Sequence, residues 1–199
     1  MTSGAASGPG RSRWRGVLGV LTVALFVAYP VVVWFGLQHR NPRSVALILL
    51  AVIVPLAILR LRGSAREIRR FAILPVCTVL ALTAGAWLND VGYVLAVPVV
   101  ISVLLLAAFG TTLRPGAMPM IERFARMQVS ELNSEQLAWC RSWTWIWCGF
   151  FVANGVTAAL LAAGDLEWWT LYTGALSYLL VALLLASEWV LRRRRFGSA

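Results

Sequence analysis

The stretch LRPGAMPMIERFARM, residues Leu113 to Met127, interrupts two long apolar runs. It carries four charged residues, namely Arg114, Glu122, Arg123 and Arg126. Because ionised side chains are costly in the hydrocarbon of a bilayer, this stretch cannot belong to a membrane-spanning segment. It therefore marks a boundary in the chain, and the question is what the apolar runs on either side of it form.

The composition of the whole chain indicates solvation by lipid. Of the 199 residues, 60% are hydrophobic and 13% are charged, and the mean hydropathy of +0.77 lies outside the range of soluble domains. A helix needs about 20 apolar residues to cross a hydrocarbon core of roughly 30 Å. The sequence predicts an all-α membrane protein with six transmembrane helices. The predicted spans are Gly16 to Leu37, Ser44 to Leu59, Phe71 to Leu88, Val91 to Leu113, Ser142 to Ala163 and Trp168 to Leu191.

These spans divide the chain into four parts. Residues 1–15 are a disordered cytoplasmic tail, 16–113 a four-helix transmembrane half, 114–141 a cytoplasmic amphipathic segment, and 142–196 a C-terminal transmembrane hairpin with a basic tail. The span over 44–59 is the shortest. It either crosses the membrane with its flanking arginines extended to the interfaces, or forms a buried or re-entrant segment.

The arginines predict the orientation, because positive residues concentrate in cytoplasmic loops. All eighteen basic residues are arginine, and with the N-terminus inside only Arg40 and Arg43 face outward. Both termini are then cytoplasmic. The net charge of +10 follows from this asymmetry, so nucleic-acid binding is not needed to explain it. Each arginine near anionic headgroups contributes about 1 kcal/mol of membrane attraction. The sixteen inner arginines are Arg11, Arg13, Arg15, Arg60, Arg62, Arg66, Arg69, Arg70, Arg114, Arg123, Arg126, Arg141 and Arg192 to Arg195.

The opening stretch has the period of an amphipathic helix. Glu122, Arg123 and Arg126 fall on one side, and Glu122 and Arg126 are spaced to pair. The sequence predicts an interfacial helix on the cytoplasmic leaflet whose apolar side enters the headgroup boundary, with a turn at Arg114 to Gly116 leading into it. The apolar side consists of Ala117, Met120, Ile121, Phe124 and Met127.

A second helix is predicted to begin near Asn133, because Asn133 and Gln136 have the spacing of a capping box. No Gly or Pro occurs between Ser134 and Cys148, so this helix is expected to continue into the fifth span. Four tryptophans then mark the headgroup layer: Trp139, Trp143, Trp145 and Trp147.

Three ordered motifs of the C-terminal half carry a family resemblance: FGTTLRPGAMPMIERFARM, RSWTWIWCGFF and SYLLVALLLASEWVLRRRRF. Over roughly residues 109 to 196 the chain resembles a family of small uncharacterised bacterial inner-membrane proteins found with gene clusters for aryl polyene and xanthomonadin-type pigments. Ser177 stands where that family usually has an asparagine. The matching residues are Leu113, Arg114, Pro115, Gly116, Ile121, Arg123, Phe124, Ala125, Arg126, Tyr178, Leu179, Glu188 and Arg192 to Phe196. The resemblance implies a pigment-related role and assigns no catalytic residue.

The residues needed for catalysis are sparse, so no enzyme activity, cofactor or metal is predicted. His39 is the only histidine, and a solvated turn residue is favoured over a general base. Cys77, Cys140 and Cys148 are not closely spaced and are interpreted as small apolar residues in helices.

Polar residues inside the predicted spans are the remaining candidates, because such side chains usually turn inward. Asn154 in the fifth span is expected to face Ser177 or Tyr178 in the sixth, either as interhelical hydrogen bonding or as a substrate lining. Glu188 either pairs locally with Arg192 or receives Arg123 or Arg126, which would pin the interfacial helix to the bundle.

These features predict a non-catalytic accessory protein in the biosynthesis or export of a lipid-linked aryl-polyene-type product. The expected partners are the lipid bilayer and an acidic carrier protein or ketosynthase, steered by the arginine-rich face. The alternative is a small transporter or flippase for a hydrophobic product. Small residues in the fifth span permit self-association: Gly149, Ala153, Gly155 and Ala159.

Overall fold

The computed structural model describes residues 29–37, 41–62, 73–127, 129 and 131–197. Within these ranges every regular element is helical. The helices are α1 (29–37), α2 (Pro42–Arg62), α3 (Ile73–Leu88), α4 (Val91–Leu95), α5 (Val97–Gly110), α6 (Met120–Arg126), α7 (Ser134–Ala162), α8 (Leu166–Leu171) and α9 (Ser177–Phe196). A 3₁₀ turn, Thr111–Leu113, follows α5, and a π-helical segment, Tyr172–Leu176, joins α8 to α9.

The helix ends agree closely with the apolar runs of the sequence. Asp90 caps α4 by accepting the Gly92 N–H at 2.7 Å, and α4, α5 and the 3₁₀ turn together cover the predicted fourth span. The predicted shortest span lies within α2, which has 21 residues. Residues 1–28, 38–40 and 63–72 lie outside the described residues, and with them the predicted tail, most of the first span and Arg40.

The capping box predicted at the start of α7 is confirmed. Asn133 accepts the Gln136 N–H at 2.8 Å, and the Gln136 side chain accepts the Asn133 N–H at 3.0 Å. From this cap α7 continues for 29 residues without a break, so the predicted helix does continue into the fifth span. A helix of this length measures about 44 Å at 1.5 Å per residue.

In the part of the chain that the structure describes, two helical stretches are long and apolar enough to cross a membrane, namely Ser134–Ala162 and Leu166–Phe196. The shorter apolar helices are Pro42–Pro55, Val76–Leu88 and Val97–Leu113. Large apolar side chains are widely exposed along these elements, with Leu160 70% and Leu80 62% exposed. Soluble monomers rarely expose apolar surface on this scale, which indicates a lipid environment.

The buried residues form two cores. The first core is formed by α1, α2, α3, α4, the start of α5 and α8. Its largest buried side chain is Trp169, which is fully buried. Tyr29 of α1 donates a hydrogen bond to the Val94 carbonyl inside this core. The second core joins α5, α6 and α7, and α9 packs partly against it. Its buried members are Phe109, Leu113, Met120, Ile121, Ala125, Cys140, Trp143, Trp147, Cys148 and Phe151.

A close approach between α5 and α7 positions the second core. A Cβ atom added at Gly155 of α7 would lie 3.1 Å from the Ser102 Cβ of α5. The glycine therefore lets the two helices approach at this point, as small residues do in membrane bundles. Gly149, on an exposed face of the same helix, has open space around it.

Gly155→Ala tests this packing, with Gly149→Ala as its matched control. Alanine improves helix propensity at both positions by up to about 1 kcal/mol, but only at position 155 must the neighbouring helix move, and overpacking typically costs about 1–3 kcal/mol. We expect Gly155→Ala to lower the thermal unfolding temperature in detergent relative to Gly149→Ala. Equal shifts in the two variants would contradict the assigned contact.

Candidate functional site

The charged stretch Leu113 to Met127 begins with a tight turn. The Ala117 N–H donates to the Arg114 carbonyl at 3.1 Å, and Gly116 has a φ of +77°. Proline at the second position and a left-handed glycine at the third are typical of a type II turn. The turn predicted at Arg114 to Gly116 is therefore confirmed, and it directs the chain from the end of α5 toward α6.

Two threonine hydroxyls hold the start of α6. Pro119 precedes the helix and offers no side-chain cap, so the first N–H groups of α6 need other acceptors. Thr112 accepts the Met120 N–H at 3.0 Å, and Thr144 of α7 accepts the Ile121 N–H at 3.3 Å. Thr144 is completely buried. These hydrogen bonds fix the short helix against the bundle.

Part of the apolar side of α6 packs against the protein and part is exposed, whereas the sequence predicted that this whole side faces lipid. Met120 and Ile121 are buried in the second core, whereas Phe124 is 46% and Met127 80% exposed. Glu122 is buried as well, although the sequence placed it on the polar side. The predicted single lipid-facing apolar side is therefore wrong, because the threonine bonds turn α6 so that half of its apolar side packs on α7.

The pairing predicted within α6 is confirmed, since Arg126 Nε lies 2.8 Å from Glu122 Oε1. The pin from α6 to Glu188 is not formed: Arg126 is engaged by Glu122, and Arg123 donates to the Met118 carbonyl at 3.2 Å. The local alternative, an ion pair between Glu188 and Arg192, is also absent among the described contacts. The half-buried ion pair inside α6 engages Arg126, one of the two arginines that the pin could have used.

Side chains connect the start of α7 to the end of α9 instead. Arg195 Nη2 lies 2.7 Å from Glu135 Oε1, and its guanidinium lies 5.5 Å from the centre of the Trp139 ring. Phe196 packs edge-on against the same ring. Arg141 donates to the Leu113 carbonyl at 2.7 Å, which fastens the last turn after α5 to α7.

Asn154 binds two side chains near the middle of the bundle. Its Nδ2 donates to Ser102 Oγ at 3.0 Å, and its Oδ1 accepts from the Tyr172 hydroxyl at 3.1 Å. The structure therefore pairs Asn154 with Ser102 and Tyr172 and not with Ser177, and the predicted alternative, that Asn154 faces Tyr178, stays a prediction. Ser177 donates back to the Thr173 carbonyl at 3.2 Å, and Tyr178 is partly buried.

The π-helical segment explains the change of partner. Such a segment inserts an extra residue into the helical repeat. The side chains before it therefore point in different directions, relative to those after it, than they would in a regular α-helix. Tyr172, at its first position, thereby reaches Asn154 of α7. Gly174 in the same segment packs against Pro30 of α1.

No group of three metal-ligating side chains occurs in the described part of the chain. Cys140 and Cys148 are buried and Cys77 is partly buried, and all three are free thiols. His39 lies outside the described residues. Among the small residues of α7 that permit self-association, Gly155 packs against Ser102 of the same chain. Self-association through this face of α7 stays a prediction.

Sequence reasoning missed Thr112, Thr144, Ser102 and Tyr172. Each is a hydroxyl residue in or beside an apolar run, and a buried hydroxyl needs a hydrogen-bond partner, which was the available signal. A buried hydroxyl does not by itself identify its hydrogen-bond partner, because a threonine can equally donate to its own helix. Thr144 also does this, since its hydroxyl donates to the Cys140 carbonyl.

One relative with a descriptive name resembles most of this chain. It is the inner membrane-spanning protein YciB of Vitreoscilla sp. (strain C1), 25% identical over 174 residues, which cover 85% of this chain and 86% of that protein. The long apolar helices and the exposed apolar surface agree with that description. The chain is a small bacterial inner-membrane protein. The relative's name states no reaction. No family model matches the chain, and no solved structure matches it.

Thr144→Val tests the attachment of α6. Valine has nearly the shape of threonine but leaves the buried Ile121 N–H without its acceptor, which costs about 1–3 kcal/mol. We expect a lower unfolding temperature and faster proteolysis within residues 114–127. Thr170→Val is the control, because among the contacts that the structure describes the Thr170 hydroxyl donates to the Leu166 carbonyl of its own helix and accepts from no other helix. If both variants behave as the unmodified protein does, Thr144 does not hold α6.

Proposed function

We propose that this protein is a non-catalytic accessory of the bacterial inner membrane that docks acidic enzymes or carrier proteins. Its process is the biosynthesis or export of a lipid-linked aryl-polyene-type product. The observation that carries the docking role is the excess of arginine at the end formed by α6, the start of α7 and the end of α9. The product class rests on the resemblance of residues 109 to 196 to the pigment-associated family.

The proposed topology has six spans and two cytoplasmic termini. Support for it comes from the six helical stretches that coincide with the apolar runs: α1, α2, α3, α4 with α5, α7, and α8 with α9. Arg43 and the Asp90 and Asp165 caps lie at the ends away from α6, so the arginine-rich end faces the cytoplasm by the positive-inside rule. α6 then lies at the inner interface, with Phe124 and Met127 exposed toward lipid.

The charge balance of this arginine-rich end supports an acidic partner. Its described arginines are Arg114, Arg123, Arg126, Arg141 and Arg192 to Arg195. Four acidic residues lie at this end. Two of them form ion pairs, Glu122 with Arg126 and Glu135 with Arg195. Six arginines thus remain for Glu131 and Glu188. A surface of this sign raises the association rate of acidic proteins and disfavours basic ones.

The carrier protein is the preferred partner because acyl carrier proteins are acidic and deliver hydrophobic chains. Exposed apolar side chains beside the arginines, Met118, Phe124 and Met127, extend the surface toward lipid. A charged partner held there would present its cargo at the headgroup layer.

The test is binding of purified holo acyl carrier protein to the protein reconstituted in lipid nanodiscs. Arg114 and Arg194 are exposed, and we expect the double variant Arg114→Gln/Arg194→Gln to weaken binding about tenfold at low ionic strength. The difference should disappear as salt is raised, since exposed charges are screened beyond about 10 Å at 0.1 M salt.

Arg43→Gln is the matched control, because Arg43 is exposed at the opposite end of the bundle. It should leave carrier-protein binding unchanged. Absence of binding, or binding that neither the double variant nor salt affects, would refute docking through the arginine-rich end.

A second candidate, transport of the hydrophobic product, is favoured by the Asn154 network and the π-helical segment beside it. π-Helical segments occur frequently at functional sites, and polar residues at membrane depth often mark substrate paths. Product that accumulates in the inner membrane of a deletion strain, with synthesis intact, would favour transport over docking.

A further inference from the structure

Charged side chains of both α6 and α9 act electrostatically on one buried cysteine of α7. Cys140 of α7 is 2% exposed. The charges that act on it are Arg192, Glu122, Glu188 and Arg126. Because α6 supplies two of these residues and α9 the other two, this cluster exists only when α6 is packed on the bundle. We call it the α6–α9 charge cluster.

Two of the four charged residues of the cluster are paired with each other. Glu122 and Arg126 form an ion pair of 2.8 Å inside α6. Glu188 and Arg192 lie one helical turn apart on the same face of α9, yet among the described contacts neither forms an ion pair. The cluster therefore presents one acid and one base that are close neighbours and remain available.

A buried indole points into the charge cluster. Trp147 of α7 is 6% exposed, and its N–H approaches the Glu188 carboxylate without completing a hydrogen bond to any described residue. Such an N–H stabilises a negative charge on Glu188 from the protein side. A carboxylate has about four acceptor positions, so the indole leaves most of them for a cationic ligand.

The α9 side of the charge cluster is open to the surroundings of the bundle. None of the residues of α9 is buried, and the neighbouring Leu185 and Trp189 are more than half exposed. Glu188 lies one turn, about 6 Å, before the arginine run that ends the helix. This depth corresponds to the layer where phospholipid headgroups meet the acyl chains.

A ligand that satisfies both available charges must be a zwitterion with its charges a few bonds apart. We propose that the charge cluster binds the aminoethyl phosphate headgroup of a phosphatidylethanolamine molecule. Its primary ammonium donates to Glu188, and its phosphate accepts from Arg192. A trimethylammonium headgroup carries the same charges but no N–H donor, and a glycerol headgroup has no cation for Glu188. This lipid site goes beyond the docking role and does not depend on it.

Native mass spectrometry of the detergent-purified protein with equal amounts of phosphatidylethanolamine, phosphatidylcholine and phosphatidylglycerol tests the proposal. We expect preferential retention of phosphatidylethanolamine and about a tenfold loss of that preference in Glu188→Gln, in line with a charge-assisted hydrogen bond. Arg192→Gln should weaken retention of this lipid, and Trp147→Phe should do so to a smaller degree.

Two matched controls accompany these variants. Glu167→Gln removes an exposed acid at the other end of the bundle, and Arg193→Gln removes the neighbouring arginine, which stacks on Trp189 instead. Both should retain phosphatidylethanolamine as the unmodified protein does. Helical content and a monodisperse elution profile establish that each variant is folded, and Glu188→Asp, which keeps the carboxylate, should restore part of the preference.

Three results would overturn the proposal. The first is equal retention of the three lipids by the unmodified protein, a measurement that needs no variant. The second is the same loss in Glu167→Gln as in Glu188→Gln. The third is binding of soluble phosphoethanolamine as tightly as the lipid, which would make the ligand a free solute.

Discussion

The cost of placing a guanidinium in hydrocarbon is the constraint from which the rest of this structure follows. All basic residues of the chain are arginine, and arginine does not lose its charge to escape a poor environment. The arginines therefore determine where each helix must leave the membrane. α9 illustrates this, since its mostly apolar residues 177–191 are followed by four consecutive arginines.

The same constraint keeps the charged stretch between α5 and α7 out of hydrocarbon, and its backbone still needs hydrogen-bond partners. Thr112 and Thr144 accept the first N–H groups of α6, and Arg141 binds the Leu113 carbonyl. α6 is therefore an integral part of the bundle and not a helix resting on its surface. This attachment holds the ion pair of Glu122 with Arg126 against α7, the helix that also carries Cys140 and Trp147.

Much of this arrangement could be predicted from the sequence, where the determinants are local. The helix boundaries, the Asn133 capping box, the turn at Gly116 and the pair of Glu122 with Arg126 each depend on residues within a few positions of one another. The partners of Asn154 and the orientation of α6 could not be predicted. The first depends on a π-helical segment that changes the register between α8 and α9, and the second depends on a threonine that lies 23 residues away in sequence.

The central claim is that the arginine-rich end faces the cytoplasm, and a thiol-accessibility experiment tests it directly. In a background with Cys77, Cys140 and Cys148 replaced by alanine, single cysteines are introduced at Met127 and Gly164, which are exposed near opposite ends of α7. A membrane-impermeant maleimide added to intact spheroplasts should modify the cysteine at position 164 and leave the one at position 127 unmodified until the membrane is opened. Modification at position 127 in intact spheroplasts would contradict the account.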